Sequence, residues 1–168
     1  VPLADYAQRL NLLSAVMGAC AAGCFFLVAE DTLRQAFAGA QPATERLVRL
    51  SGAFGSSLVA AFTFTMWQNS NETEVYAVAM FTIALICWAC LRWRALRGTI
   101  RAAHLLLLIL YLAGLSIGNH LLALLAGPAV VAFLLATVSA DPAPRREDQL
   151  AELTQVAVMA GTWALLIG

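Results

Sequence analysis

Two short polar segments carry the residues with chemical potential. The first is QNSNETEVY, residues 68–76. Its carboxylates Glu72 and Glu74 can act as a general base toward an acceptor hydroxyl. They can equally hold a divalent ion, with Asn69 and Asn71 adding oxygens. A structural alternative stands beside both. Asn71 can cap the helix that follows with Glu74 as its reciprocal partner, a capping box, while Glu72 favours the helix dipole. The spacing alone leaves these readings open. The second segment is GLSIGNHLL, residues 114–122. A glycine-flexed break there puts Asn119 and His120 at the start of a helix, where backbone N–H groups favour phosphate. The histidine can add a donor or a positive charge, or it can simply tie one helix to the next.

The elements that must position these groups are membrane helices. Of 168 residues, 61% are hydrophobic and 12% are charged, against about 25% charged in an ordinary soluble domain. So little charge does not cover a soluble domain, and so much apolar surface excludes disorder. Ten arginines, no lysine and ten acidic residues cancel, so the electrostatic footprint of a nucleic-acid binder is missing. The expected architecture is all-α, a polytopic transmembrane helix bundle of about six spans forming a single domain over residues 1–168. Apolar runs occupy residues 11–28, 52–67, 75–91, 102–116 and 121–138, with a sixth starting near Val156. The start without methionine and the finish inside an apolar run lead us to expect a piece truncated at both ends.

Arginine placement gives a topology. Arg92, Arg94, Arg97 and Arg101 form the densest basic cluster, which the positive-inside rule assigns to the cytoplasm and which is suited to anionic lipid. Alternation then places residues 30–50 and Arg145/Arg146 inside as well. The segment with Glu72 and Glu74 falls outside, together with Asn119 and His120. His104 lies beside the arginines as an interfacial residue. The small residues Ser14, Ala15, Gly18, Ala19, Ala22 and Gly23 suit close helix packing. Cys20/Cys24 and Cys87/Cys90 each share a helical face, but membrane-embedded cysteines behave as small hydrophobes, and we expect no metal site. No nucleotide-binding fingerprint, hydrolase elbow, selectivity filter or inverted repeat is present.

Three blocks in order carry a family resemblance: RLNLLSAVMGAC (residues 9–20), AFTFTMWQNSNETEVYA (61–77) and YLAGLSIGNHLLALLAGPAV (111–130). Together they resemble bacterial relatives of the protein O-mannosyltransferases, membrane glycosyltransferases with a GT-C fold. The resemblance implies a GT-C-like membrane domain in the bacterial inner membrane. It would move a sugar, mannose, from a polyprenyl-phosphate donor to an acceptor hydroxyl on the outer face. Glu72, Glu74 and Tyr76 match the family's acidic motif and His120 its histidine, which implies catalytic roles for Glu72, Glu74 and His120. Tyr76, with Asn69, Asn71 and Asn119 beside these motifs, is an expected substrate contact, Asn119 lying where the family varies. No cofactor is implied beyond the lipid-linked donor as substrate. Membrane lipids and other membrane subunits are the expected partners. The family's upstream acidic loop, source of its catalytic base, is not in these residues, so this stretch alone is expected to be inactive. The rival expectation is a non-enzymatic membrane subunit packing within a larger complex.

Overall fold

In a computed structural model the chain is all-helical, and the structure describes residues 5–39, 41–71, 75–119, 126–140 and 146–167. Seven helices follow in order: α1 (Tyr6–Ala36), α2 (Pro42–Ala61), α3 (Phe64–Asn71), α4 (Val75–Ala95), α5 (Ile100–Asn119), α6 (Ala126–Ala140) and α7 (Arg146–Ile167). Among the described residues α1, α4 and α5 are each long and apolar enough to cross a membrane, and α2 with α3 passes as a bent pair. The chain is an integral membrane protein, with three or four such spans among the described residues. Helix α6 is apolar but only 15 residues long, about 22 Å at 1.5 Å per residue, against a hydrocarbon core of about 30 Å.

Two compact units divide the chain, Val1–Trp88 and Ala89–Gly168. In the first, α1 starts at Asp5, whose carboxylate accepts the Ala7 N–H at 3.3 Å, satisfying one orphan donor of the first turn. The helix then runs 31 residues, past the apolar stretch ending at Val28 and through a segment expected to be a connection. Side chains support that extension: Asp31 pairs with Arg34 and accepts from Gln35 Nε2 at 2.6 Å, the spacings at which helix neighbours meet. Arg49 of α2 joins it from outside. Its Nη1 donates to Glu45 at 2.8 Å, and its Nε lies 2.9 Å from Glu30 of α1, a charge contact rather than an aligned hydrogen bond. Pro42, expected in a loop, instead opens α2 as its first helical residue, where its missing N–H costs nothing.

The second run, read as one span over residues 52–67, is broken. Helix α2 ends at Ala61 and α3 leaves it at 62°. The hydroxyls of Ser56, Ser57 and Thr63 bond back to the carbonyls of Ala53, Phe54 and Ala60 at 3.1, 2.9 and 2.9 Å, an alternative partner that weakens and bends a helical ladder. Phe62 stacks on Trp67 across the bend, ring centroids 5.6 Å apart.

In the second unit, α4 gives way to α5 through a turn at Gly98, whose φ of 77° is the left-handed conformation that glycine tolerates best. Helix α7 packs on both α5 and α6, with Leu134, Val138 and Val156 fully buried. Arg97 binds Glu152 through Nη2 at 2.6 Å and Nε at 3.4 Å, and donates from Nη1 to the Thr137 carbonyl at 3.3 Å. One guanidinium thereby ties α6 and α7 to the α4–α5 turn.

Candidate functional site

The helix that leads into the acidic motif is α3, and its placement rests on a glycine. Gly18 of α1 is buried, and a Cβ there would stand 2.3 Å from Ser70 Oγ and 3.1 Å from Ser70 Cβ. The hydrogen at position 18 leaves the room that the Ser70 side chain of α3 occupies. Ser14, Gly18, Ala21 and Cys24 are the buried positions of α1. Part of the small-residue face expected to engage neighbours is therefore covered from within the chain, while Ala15, Ala19 and Gly23 stay exposed.

Helix α3 carries two of the expected substrate contacts. Asn69 is half-buried and Asn71 is exposed. The Asn71 amide donates from Nδ2 to the Trp67 carbonyl at 2.7 Å, and Ser70 Oγ donates to the Met66 carbonyl at 2.8 Å. Asn71 is thus the last residue of α3 rather than the cap that opens the next helix. The capping-box alternative does not hold in the form read from spacing, because a residue already helical and bonded to its own fourth neighbour is not an N-cap. Tyr76, half-buried, sits one residue into α4 and belongs to the same unit as α3.

Asn119, expected at the start of a helix, is instead the final residue of α5, half-buried, in the second unit, where a helix presents carbonyls rather than N–H groups. Glu72 and Glu74 follow α3 in sequence and His120 follows α5, but all three lie outside the described residues. The structure therefore brings Asn69, Asn71 and Tyr76 into one unit and describes Asn119 in the other.

Among the described residues no group of three or more His, Cys, Asp or Glu side chains could hold a metal ion. No disulfide joins the four cysteines; Cys24 and Cys90 are buried, Cys20 and Cys87 exposed.

Two contacts were not foreseen from spacing. Gly127, at the start of α6, is met by the Trp163 ring: a Cβ there would lie 2.0 Å from Cζ2 and 2.1 Å from Cε2. The Trp163 indole N–H is buried without a hydrogen-bond partner. Arg97, in the turn between α4 and α5, and Glu152 are 55 residues apart, beyond any local pattern.

The family model for the N-terminal domain of the protein O-mannosyl-transferase TMEM260 matches residues 1–142. The chain belongs to that family. The matched region takes in α1 through α6 and all three sequence blocks singled out above. No curated protein and no solved structure matches the chain.

Proposed function

We propose that this chain is membrane-embedded machinery of a GT-C-like glycosyltransferase that moves mannose from a polyprenyl-phosphate donor to an acceptor hydroxyl on the outer face of a bacterial inner membrane. The observation that carries the reading is the family match over residues 1–142. Support from the residues is independent of it: two carboxylates, Glu72 and Glu74, and a histidine, His120, fall on the side of the membrane opposite the arginine cluster. That topology requires six crossings, so it includes α6, shorter than the hydrocarbon core, and α7 in addition to the helices of span length.

In this mechanism an acid from elsewhere in the full protein takes the proton of the acceptor hydroxyl. The alkoxide attacks the anomeric carbon and the sugar–phosphate bond breaks. His120 donates to the departing lipid phosphate and stabilises the charge that develops there. Glu72 and Glu74 orient donor and acceptor, with Asn69, Asn71 and Tyr76 as hydrogen-bonding neighbours and Asn119 beside the histidine. Helix α3, held against Gly18, sets where the acidic motif begins.

The test is a titration of the full-length protein in detergent with polyprenyl phosphate. Saturable binding weakened by His120→Ala is expected. Partitioning that never saturates and is the same in both proteins would instead make the chain a structural membrane subunit.

A further inference from the structure

Helix α3 ends in a turn that is polar on every side. Gln68, Asn69, Ser70 and Asn71 are consecutive, and one helical turn takes only about 3.6 residues. The Ser70 side chain rests on Gly18 of α1. Gln68 and Asn71 are exposed and Asn69 is half-buried. The first half of α3 and the bend before it are different. Phe62, Phe64 and Trp67 are 66%, 81% and 54% exposed, a surface suited to hydrocarbon.

The level of the polar turn follows from α1. The apolar run of that helix reaches from Asn11 to Val28, about 27 Å at 1.5 Å per residue, against a hydrocarbon core of about 30 Å. Gly18 stands seven residues past Asn11 and ten before Val28, which puts it about 10 Å from one edge of the run and about 15 Å from the other. Contact with Ser70 sets the end of α3 at the same level. Helix α3 gains little height of its own. It leaves α2 at 62°, so its eight residues advance only about 6 Å along the direction of α2.

A turn that is polar all round therefore sits inside the hydrocarbon layer. Polar side chains at that depth face protein or a water-filled cavity rather than lipid. Ser70 faces protein, and the exposed Gln68 and Asn71 call for water.

We propose that an aqueous recess enters the bilayer from the outer face and reaches the last turn of α3, about 10 Å below the edge of the hydrocarbon. Its entrant is a hydroxyl-bearing polypeptide from the outer aqueous side, which descends to the carboxylates that follow Asn71 in sequence. The recess stands on the packing of α3 against α1. Its use by an acceptor rests on the glycosyl-transfer reading, and the side to which it opens on the arginine topology. Water access is measured without any transfer, so the recess and the transfer reading fail separately.

The test uses full-length protein in membrane vesicles with the outer face exposed, treated with a quaternary-ammonium methanethiosulfonate and read peptide by peptide by mass spectrometry. Two variants are compared, Asn71→Cys and Tyr6→Cys, the latter 75% exposed before the apolar run begins. Both should be labelled at comparable rates. Cys20 is an internal control in each: it is exposed, two residues from Gly18 and thus on the opposite side of α1. It should react at least ~100-fold more slowly, the scale on which charge is excluded from the middle of a bilayer. A maleimide carrying a long polyethylene glycol chain should label Tyr6→Cys and leave Asn71→Cys unmodified, because the recess is too narrow for it. An Asn71→Cys thiol that resists the small reagent means no water reaches the turn, and overturns the proposal. Labelling of that thiol by the bulky maleimide as fast as Tyr6→Cys, or of Cys20 as fast as Asn71→Cys, means that the turn stands at an open surface, which also overturns it.

Discussion

Substituting Gly127 by alanine tests the packing of the second unit at its tightest point. The new Cβ would fall 2.0 Å from Trp163 Cζ2 and 2.1 Å from Cε2, whereas carbon atoms rest about 3.5–4.0 Å apart. The indole must retreat by about 1.5–2 Å, and a ring moves as one body. Overpacking of this kind costs ~1–3 kcal/mol, and so rigid an obstacle argues for the upper part of that range. Alanine recovers up to ~1 kcal/mol through its helix preference over glycine, leaving a net loss of about 1–2 kcal/mol. Gly23→Ala is the matched control, because a Cβ at Gly23 meets nothing within 4 Å; it should be neutral or stabilising. Thermal unfolding of the full-length protein in detergent, followed with a thiol-reactive fluorogenic dye, suits this chain because Cys24 and Cys90 are buried and outside any disulfide. Gly127→Ala should melt several degrees below wild type and Gly23→Ala at or above it. Adding Trp163→Leu to Gly127→Ala should recover part of the loss, with a coupling of at least ~1 kcal/mol for residues in direct contact. Equal melting of the two alanine variants, or no coupling, would refute the assignment of Trp163 to the Gly127 surface.

Other substitutions follow from the same contacts. Gly18→Ala should displace Ser70 and lower mannosyl transfer more than it lowers melting temperature, and Ser70→Gly in the same protein should restore transfer. Arg97→Met leaves Glu152, 16% exposed, facing no cation; we expect a loss of about 1–3 kcal/mol, below the ~3–5 kcal/mol of a fully enclosed pair. Replacing both partners, Arg97→Met with Glu152→Leu, should return most of that loss in the same melting assay. Gly98→Ala should cost ~1–2 kcal/mol through its left-handed backbone alone, since its surroundings are open, and Gly98→Asn should cost less.

Composition was enough to read the membrane helices, since apolar runs of span length have no other stable home. The runs at residues 75–91 and 102–116 lie within α4 and α5, each a few residues short at the ends. What spacing missed has identifiable causes. Helix α1 continues through Glu30–Ala36 because Asp31 pairs with Arg34 and Gln35 and Glu30 lies against Arg49 of α2, and a polar composition read as loop conceals such pairing. The bend after Ala61 comes from hydroxyls bonding back to the ladder, which apolar counting ignores. The approach of α3 to Gly18 and the Arg97–Glu152 pair are contacts between distant residues, invisible to any local window. Of the expected site residues, Asn69, Asn71 and Tyr76 fall in one unit. Asn71 was given the wrong helix in the capping reading, because the sequence did not show that α3 ends where the acidic motif starts.

The most direct measurement is transfer itself: labelled mannose presented on polyprenyl phosphate to the reconstituted full-length protein with an acceptor polypeptide. The label should move from lipid to a serine or threonine hydroxyl, and Glu74→Gln and His120→Ala should each slow it at least ~10-fold, the low end of acid–base effects. A wild-type protein that leaves the lipid-linked sugar untouched, or variants that transfer at the wild-type rate, would contradict the account.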